Sequence, residues 1–151
     1  MYRDYLFYGL TVCALTITPL IVSADIFVSG LNAMDRTHYA SAYRSFKPLA
    51  DEGIAEAQNN IGFLYQNGFG VKRDYNTAIK WYQRAADQGL AEAEHNLGVL
   101  NYWGWGVSQN FGIARRWFNK SAEKGLKESH YMIGLMFFKG EGTQASLPRA
   151  S

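Results

Sequence analysis

A chain of 151 residues, 48% of them hydrophobic and 15% aromatic, carries enough apolar surface for one packed domain, which excludes wholesale disorder. Its formal charge is only +2, and no run of Lys or Arg exceeds two residues (Lys72-Arg73 and Arg115-Arg116), so it lacks the basic stripe that nucleic acid requires. With a single cysteine, Cys13, the chain has no internal disulfide framework and no cysteine-based metal site.

Residues 1–24 read as a secretory signal peptide. Arg3 precedes the apolar stretch Leu10 to Val22, LTVCALTITPLIV, and Val22-Ser23-Ala24 meets the small-x-small rule for cleavage between Ala24 and Asp25. The apolar run is about 13 residues, short of the roughly 20 that a spanning helix needs. An uncleaved anchor is the alternative. After cleavage the chain would hold no thiol and no stable membrane span.

From Tyr39 onward the sequence repeats. Ala57–Glu92, AQNNIGFLYQNGFGVKRDYNTAIKWYQRAADQGLAE, overlays Ala93–Glu128, AEHNLGVLNYWGWGVSQNFGIARRWFNKSAEKGLKE, with thirteen of 36 positions identical. A fixed period in the range of about 20 to 50 residues is the signature of a solenoid. Upstream, YASAYRSFKPLADEGIAE (Tyr39–Glu56) matches only the second half of the unit. Residues 25–56 are therefore expected to be a half repeat whose first helix is missing, with Pro48 kinking or loosening its last turn.

Each full unit, 57–92 and 93–128, reads as two helices. Ala57, Ile61, Leu64 and Tyr65 form the apolar stripe of the first, which Gly68 and Gly70 end. Asp74 is the expected N-cap of the second, whose buried stripe is Ala78, Trp81, Tyr82, Ala85 and Ala86 before Gly89 stops it. Gly62, Gly98 and Gly134 recur in register inside the first helices, where glycine costs about 1 kcal/mol relative to alanine. Close approach of the paired second helix, through Ala78 or Ala114, is the expected return. The third unit, 129–142, keeps Ser129, Ile133, Gly134, Phe137, Gly140 and Gly142, then loses the pattern in a tail, 143–151, expected to be flexible. Its apolar face (Ile133, Met136, Phe137) has no following partner helix. Either the chain docks or self-associates through that end, or it is a truncated relative of a longer protein.

The pattern Ala57, Ile61, Gly62, Tyr65, Gly68, Gly70, Val71, Asp74, Ala78, Trp81, Tyr82, Ala85, Ala86, Gly89 resembles the Sel-1-like repeat family, of the tetratricopeptide class of helical solenoids. The second copy keeps Ala93, Leu97, Gly98, Gly104, Gly106, Val107, Ala114, Trp117, Phe118, Ala122 and Gly125, but has Asn101, Asn110 and Ser121 where the pattern has Tyr, Asp and Ala. The resemblance covers residues 39–142. It implies an all-α fold, a right-handed superhelix of antiparallel helix pairs that binds proteins or peptides, and bacterial secreted members serve envelope regulation, virulence or host contact. Some secreted relatives are linked to penicillin binding or β-lactamase activity, but those are disulfide-bridged, and the mature chain here would have no cysteine.

Candidate binding residues follow from the expectation that first helices line the concave surface. The stripe beside the core comprises Asn59, Phe63 and Gln66, then His95, Val99 and Tyr102, then Tyr131, Leu135 and Phe138, with Tyr102, Tyr131 and Phe138 the aromatics expected in the groove. Phe69 and Trp105, each between two turn glycines, either project as anchors for a partner or lie across the next turn and stitch repeats together. Catalytic signals are weak. His38, His95 and His130 fall in different units without ligand spacing, Asp51-Glu52 and Glu92-x-Glu94 sit at helix borders, and Gly68-x-Gly70 lacks the context of a phosphate loop. The expected function is a secreted or periplasmic, non-enzymatic adaptor for a protein or peptide, without cofactor or metal. The alternatives are an envelope hydrolase acting on peptidoglycan or a β-lactam, or a self-associating structural subunit.

Overall fold

The computed structural model describes residues 6–142, with side chains from residue 21 onward; the expected tail lies outside what is described, as do the side chains of residues 10–20 in the apolar run. Seven helices follow one another among the described residues: α1 (Leu6–Asp35), α2 (Tyr39–Asp51), α3 (Ala55–Asn67), α4 (Tyr75–Asp87), α5 (Ala91–Trp103), α6 (Phe111–Glu123) and α7 (Lys127–Lys139). Each packs on its neighbours in sequence, which makes an all-α solenoid. None of these helices is long and apolar enough to cross a membrane.

The helix ends follow from local chemistry. Gly68, Gly104 and Gly140 close α3, α5 and α7 in the left-handed conformation at φ 71°, 70° and 71°, which a Cβ would penalise. The Asp74 carboxylate accepts from the Asn76 and Thr77 amides at 3.0 and 3.2 Å, and Asn110 Oδ1 accepts from the Ile113 amide at 2.8 Å. Both second helices are thus capped as their sequences predict. In α2 the helix runs through Pro48 to Asp51, and Leu49 and Ala50 beyond the proline are fully packed.

Within a pair the helices run antiparallel. Gln88, just past the end of α4, donates from Nε2 to Gln58 Oε1 near the start of α3 (2.8 Å), and Phe111 at the start of α6 meets Tyr102 near the end of α5. The second helices share one buried pattern: an alanine, then an aromatic four residues on, a small or apolar residue seven residues on and an alanine eight residues on. It reads Ala42, Phe46, Leu49, Ala50 in α2, Ala78, Tyr82, Ala85, Ala86 in α4, and Ala114, Phe118, Ser121, Ala122 in α6, all buried. The aromatic of this pattern lies on the first-helix glycine. A Cβ on Gly62 would stand 2.7 Å from Tyr82 Cε1, and one on Gly98 would stand 2.6 Å from Phe118 Cε1. It is therefore the flat ring, rather than Ala78 or Ala114 as expected, that exploits the bare backbone. A ring seated on a helix buries more apolar surface than a methyl group does, which offsets the helical cost of glycine.

The first helix of the N-terminal pair, expected to be missing, is present as the C-terminal part of α1. Gly30 meets Phe46 as Gly62 meets Tyr82, with the ring 2.5 Å from a would-be Cβ, and Phe27 packs at 5.4 Å on the same ring. Ile26, Ala33 and Met34 complete this contact with the first core cluster.

Candidate partner-binding surface

The aromatics in the turns join one pair to the next. Phe69 stacks on Tyr39, the first residue of α2, with centroids 4.3 Å apart, and Trp105 stacks on Tyr75, the first residue of α4, at 5.7 Å. Gly142, in the corresponding turn after α7, would place a Cβ 2.8 Å from the carbonyl of Phe111 at the start of α6. Each turn thus leans on the second helix of the preceding pair. Phe69 is half-buried there and is a stitch rather than an anchor. Trp105 stitches too, yet remains 38% exposed.

The predicted groove stripe divides into two sets. Tyr102, expected to be exposed, is 2% exposed: its ring packs on Phe111 and Trp103, its hydroxyl donates to Glu141 Oε2 (2.7 Å) and accepts from Lys139 Nζ (3.1 Å). That contact also holds the Lys139 ammonium pKa above its ordinary value, chiefly through the hydrogen bond to Tyr102. Gln66 accepts from the buried Tyr82 hydroxyl at 2.8 Å, and the His95 ring lies 5.3 Å from that of Phe118. The reason is geometric. Positions 95 and 102 stand three before and four after Gly98, so they share the helix face that receives the α6 ring. Asn59 accepts from Asn96 Nδ2 at 2.9 Å, which ties α3 to α5, and Phe63 and Val99 are half-buried beside them. Tyr131 and Phe138 are open, at 71% and 88% exposed, with Leu135 half-buried between them.

One exposed residue was not singled out from the sequence. Trp103, the last residue of α5, is 53% exposed and stacks on Trp105 with centroids 6.1 Å apart. With Tyr75 behind Trp105 and Arg73 over Tyr75 at 5.6 Å, the rings form a continuous aromatic ledge at the end of the first helices. The signal available in the sequence was the Trp-Gly-Trp triplet Trp103–Trp105, since a glycine in the left-handed conformation folds two neighbouring rings toward one another.

A serine and a histidine also meet, in a way that serves structure. Ser121 Oγ donates to the Ala91 carbonyl (2.7 Å) and Ser129 Oγ donates to Ser121 Oγ (2.8 Å). The Ser129 oxygen is thereby left to accept from His95 Nδ1 at 2.8 Å. Both hydroxyls are fully buried with their protons committed, so this chain of bonds locks α5, α6 and α7 together and offers no exposed nucleophile. Burial holds the His95 pKa below its ordinary value against an opposing effect of Glu128. Among the described residues no three His, Cys, Asp or Glu side chains gather as a metal site would require.

Comparison with known proteins agrees with this geometry. The Sel1 repeat model matches residues 55–90, 91–126 and 127–150, whose starts coincide with the first helices α3, α5 and α7. The crystal structure of c5321, a protective antigen of uropathogenic Escherichia coli strains displaying an SLR fold, is 34% identical with a TM-score of 0.73 over 80% of this chain and 27% of that one. A Sel1 repeat protein from Oxalobacter formigenes is 33% identical with a TM-score of 0.72 over 78% of this chain and 49% of its own. The chain thus spans between a quarter and a half of the length of these relatives. No curated protein matches it. With three successive repeats covering more than half of the sequence, the chain belongs to the Sel1 repeat family.

Proposed function

We propose that this chain is a non-enzymatic scaffold that binds a protein or peptide segment along the exposed side of its first helices, the side expected to be concave. Sel1 repeat folds are generally protein-interaction scaffolds. The observation that carries the reading is the aromatic ledge of Trp103 and Trp105, large rings held rigidly by Tyr75 and left open to solvent. Tryptophans are over-represented among residues that dominate interface energetics. Phe63, Asn59 and Val99 flank the path toward α3. The direct test is selection of binders from a random peptide library on the immobilised chain, followed by affinity measurement. Trp103→Ala should weaken the selected peptides about tenfold or more, and unchanged affinity would overturn the assignment.

The same reading places the protein outside the cytoplasm, secreted or periplasmic, with cleavage between Ala24 and Asp25. In support, the α1 side chains that pack on the first core cluster (Ile26, Phe27, Ala33 and Met34) all follow that bond, while Ile21 and Val22 are exposed. Removing residues 1–24 would leave the α1–α2 pair intact. Intact mass of the protein recovered from a secreting host tests this: a chain beginning at Asp25 supports it, and a full-length chain contradicts it.

A further inference from the structure

The aromatic ledge has two unlike ends. At one, the Trp103 ring meets Tyr102 at 4.9 Å, and Lys139 and Glu141 balance one another on the Tyr102 hydroxyl. At the other, the Arg73 guanidinium lies over the Tyr75 ring, with Lys72 exposed beside it. Arg73 also lines an open hollow of about 550 Å³ together with Tyr65, Val71, Lys72 and Asp74. Of the described residues lining it, only Asp74 carries a carboxylate. That carboxylate already accepts from the Asn76 and Thr77 amides and from Thr77 Oγ1 (2.7 Å). The Tyr43 and Tyr65 hydroxyls share one hydrogen bond at 3.3 Å, which uses one of their two protons and leaves the other for an acceptor outside the pair. Two cations and a spare hydroxyl proton therefore meet where the ledge runs into the hollow.

Resting on the scaffold reading of the ledge, we infer that the partner segment is acidic. Its apolar side chains lie on Trp103 and Trp105, and a carboxylate enters the hollow to pair with Lys72 and Arg73. The rings favour the same sign of charge. Tyr75, Trp105 and Trp103 stack with planes 22° and 21° apart, so their faces turn toward one another and their edges toward the partner. Ring edges carry partial positive charge, which suits carboxylate and carbonyl oxygens rather than cations. The whole chain carries only +2, so a preference for acids has to come from this local placement.

The test pans a random peptide library on three forms of the full chain: wild type, Lys72→Glu with Arg73→Glu, and Lys120→Glu with Lys127→Glu. The last pair is exposed at the opposite ends of the helices and makes the same change in net charge, so it serves as the control. Wild type and control should select peptides enriched in Asp and Glu, and the variant with Glu at 72 and 73 should select peptides enriched in Lys and Arg. In the wild-type peptides, replacing Asp and Glu by Asn and Gln should weaken binding about tenfold, the loss of a charge-assisted hydrogen bond. Selection without acidic enrichment, or the same acidic peptides from the variant with Glu at 72 and 73, would overturn the inference. So would loss of the preference in the control, because net charge alone would then account for it. Affinities for Trp103→Ala separate this from failure of the ledge. Peptides that weaken on Trp103→Ala yet show no charge preference overturn the acidic partner alone, whereas peptides indifferent to Trp103→Ala overturn the ledge and the acidic partner together.

Discussion

Gly98→Ala and Gly134→Ala place the same methyl group at the same position of successive repeats, yet the structure predicts opposite outcomes. At Gly98 the new Cβ would stand 2.6, 2.7 and 3.0 Å from Cε1, Cδ1 and Cζ of Phe118. Carbon atoms rest about 3.5–4.0 Å apart, so the ring must move by roughly 1 Å. It has little freedom to do so, being fully buried against His95 and the third core cluster. Overpacking of this kind costs about 1–3 kcal/mol, while replacing a mid-helix glycine gains about 1 kcal/mol. Gly98→Ala is therefore expected to be neutral to about 2 kcal/mol destabilising. Gly134→Ala, with nothing within 4 Å, should be about 1 kcal/mol stabilising. The helix-propensity contribution cancels between them, so their difference of about 1–3 kcal/mol isolates the ring contact. Urea denaturation followed by circular dichroism measures both. Should Gly98→Ala stabilise the protein as much as Gly134→Ala, the ring-on-glycine account of pairing is wrong.

Other residues give independent checks. Lys124 Nζ contacts Glu94 Oε1 at 2.6 Å, and Glu94 is buried with Oε2 unpartnered among the described residues. Lys124→Met should therefore cost about 1–3 kcal/mol, measured by urea midpoint, and Glu94→Gln in the same background should recover much of it. Asn110→Ala removes the cap of α6 and should cost about 1 kcal/mol, whereas Asn110→Asp should cost little. Partial burial holds the pKa of the half-buried His95 below its ordinary value of 6.5 in the folded state. The unfolded chain therefore takes up the proton first as pH falls, and stability should decline below about pH 6.5. His95→Gln should flatten that part of the profile, and an unchanged slope would show that the decline comes from other groups.

The repeat, the helix ends and the second-helix core were legible because each has a local cause written at fixed spacing. Gly68 and Gly104 need the left-handed conformation, Asp74 and Asn110 offer a cap, and Trp81 and Tyr82 fall on one stripe. What was not legible depended on how one repeat leans on another. Tyr102 is buried by the turn after α7 and by Phe111, neither of which is its sequence neighbour. Tyr131 and Phe138 have the same spacing as His95 and Tyr102 and differ from them because, among the described residues, no α6 counterpart covers α7. The first helix of the N-terminal pair was hidden for another reason. Its connection, Arg36–His38 with Thr37 at φ 58°, is shorter than the Gly68–Asp74 connection, so Gly30 falls out of register with Gly62.

The scaffold reading is tested most directly by the dissociation constants of library-selected peptides for the wild-type chain and for Trp103→Ala, measured side by side. Trp103 is exposed on its ledge, so its loss should leave the unfolding midpoint nearly unchanged while weakening the peptides about tenfold or more. Peptides that bind both proteins equally well would contradict the claim that the open side of the first helices is where this protein meets its partner.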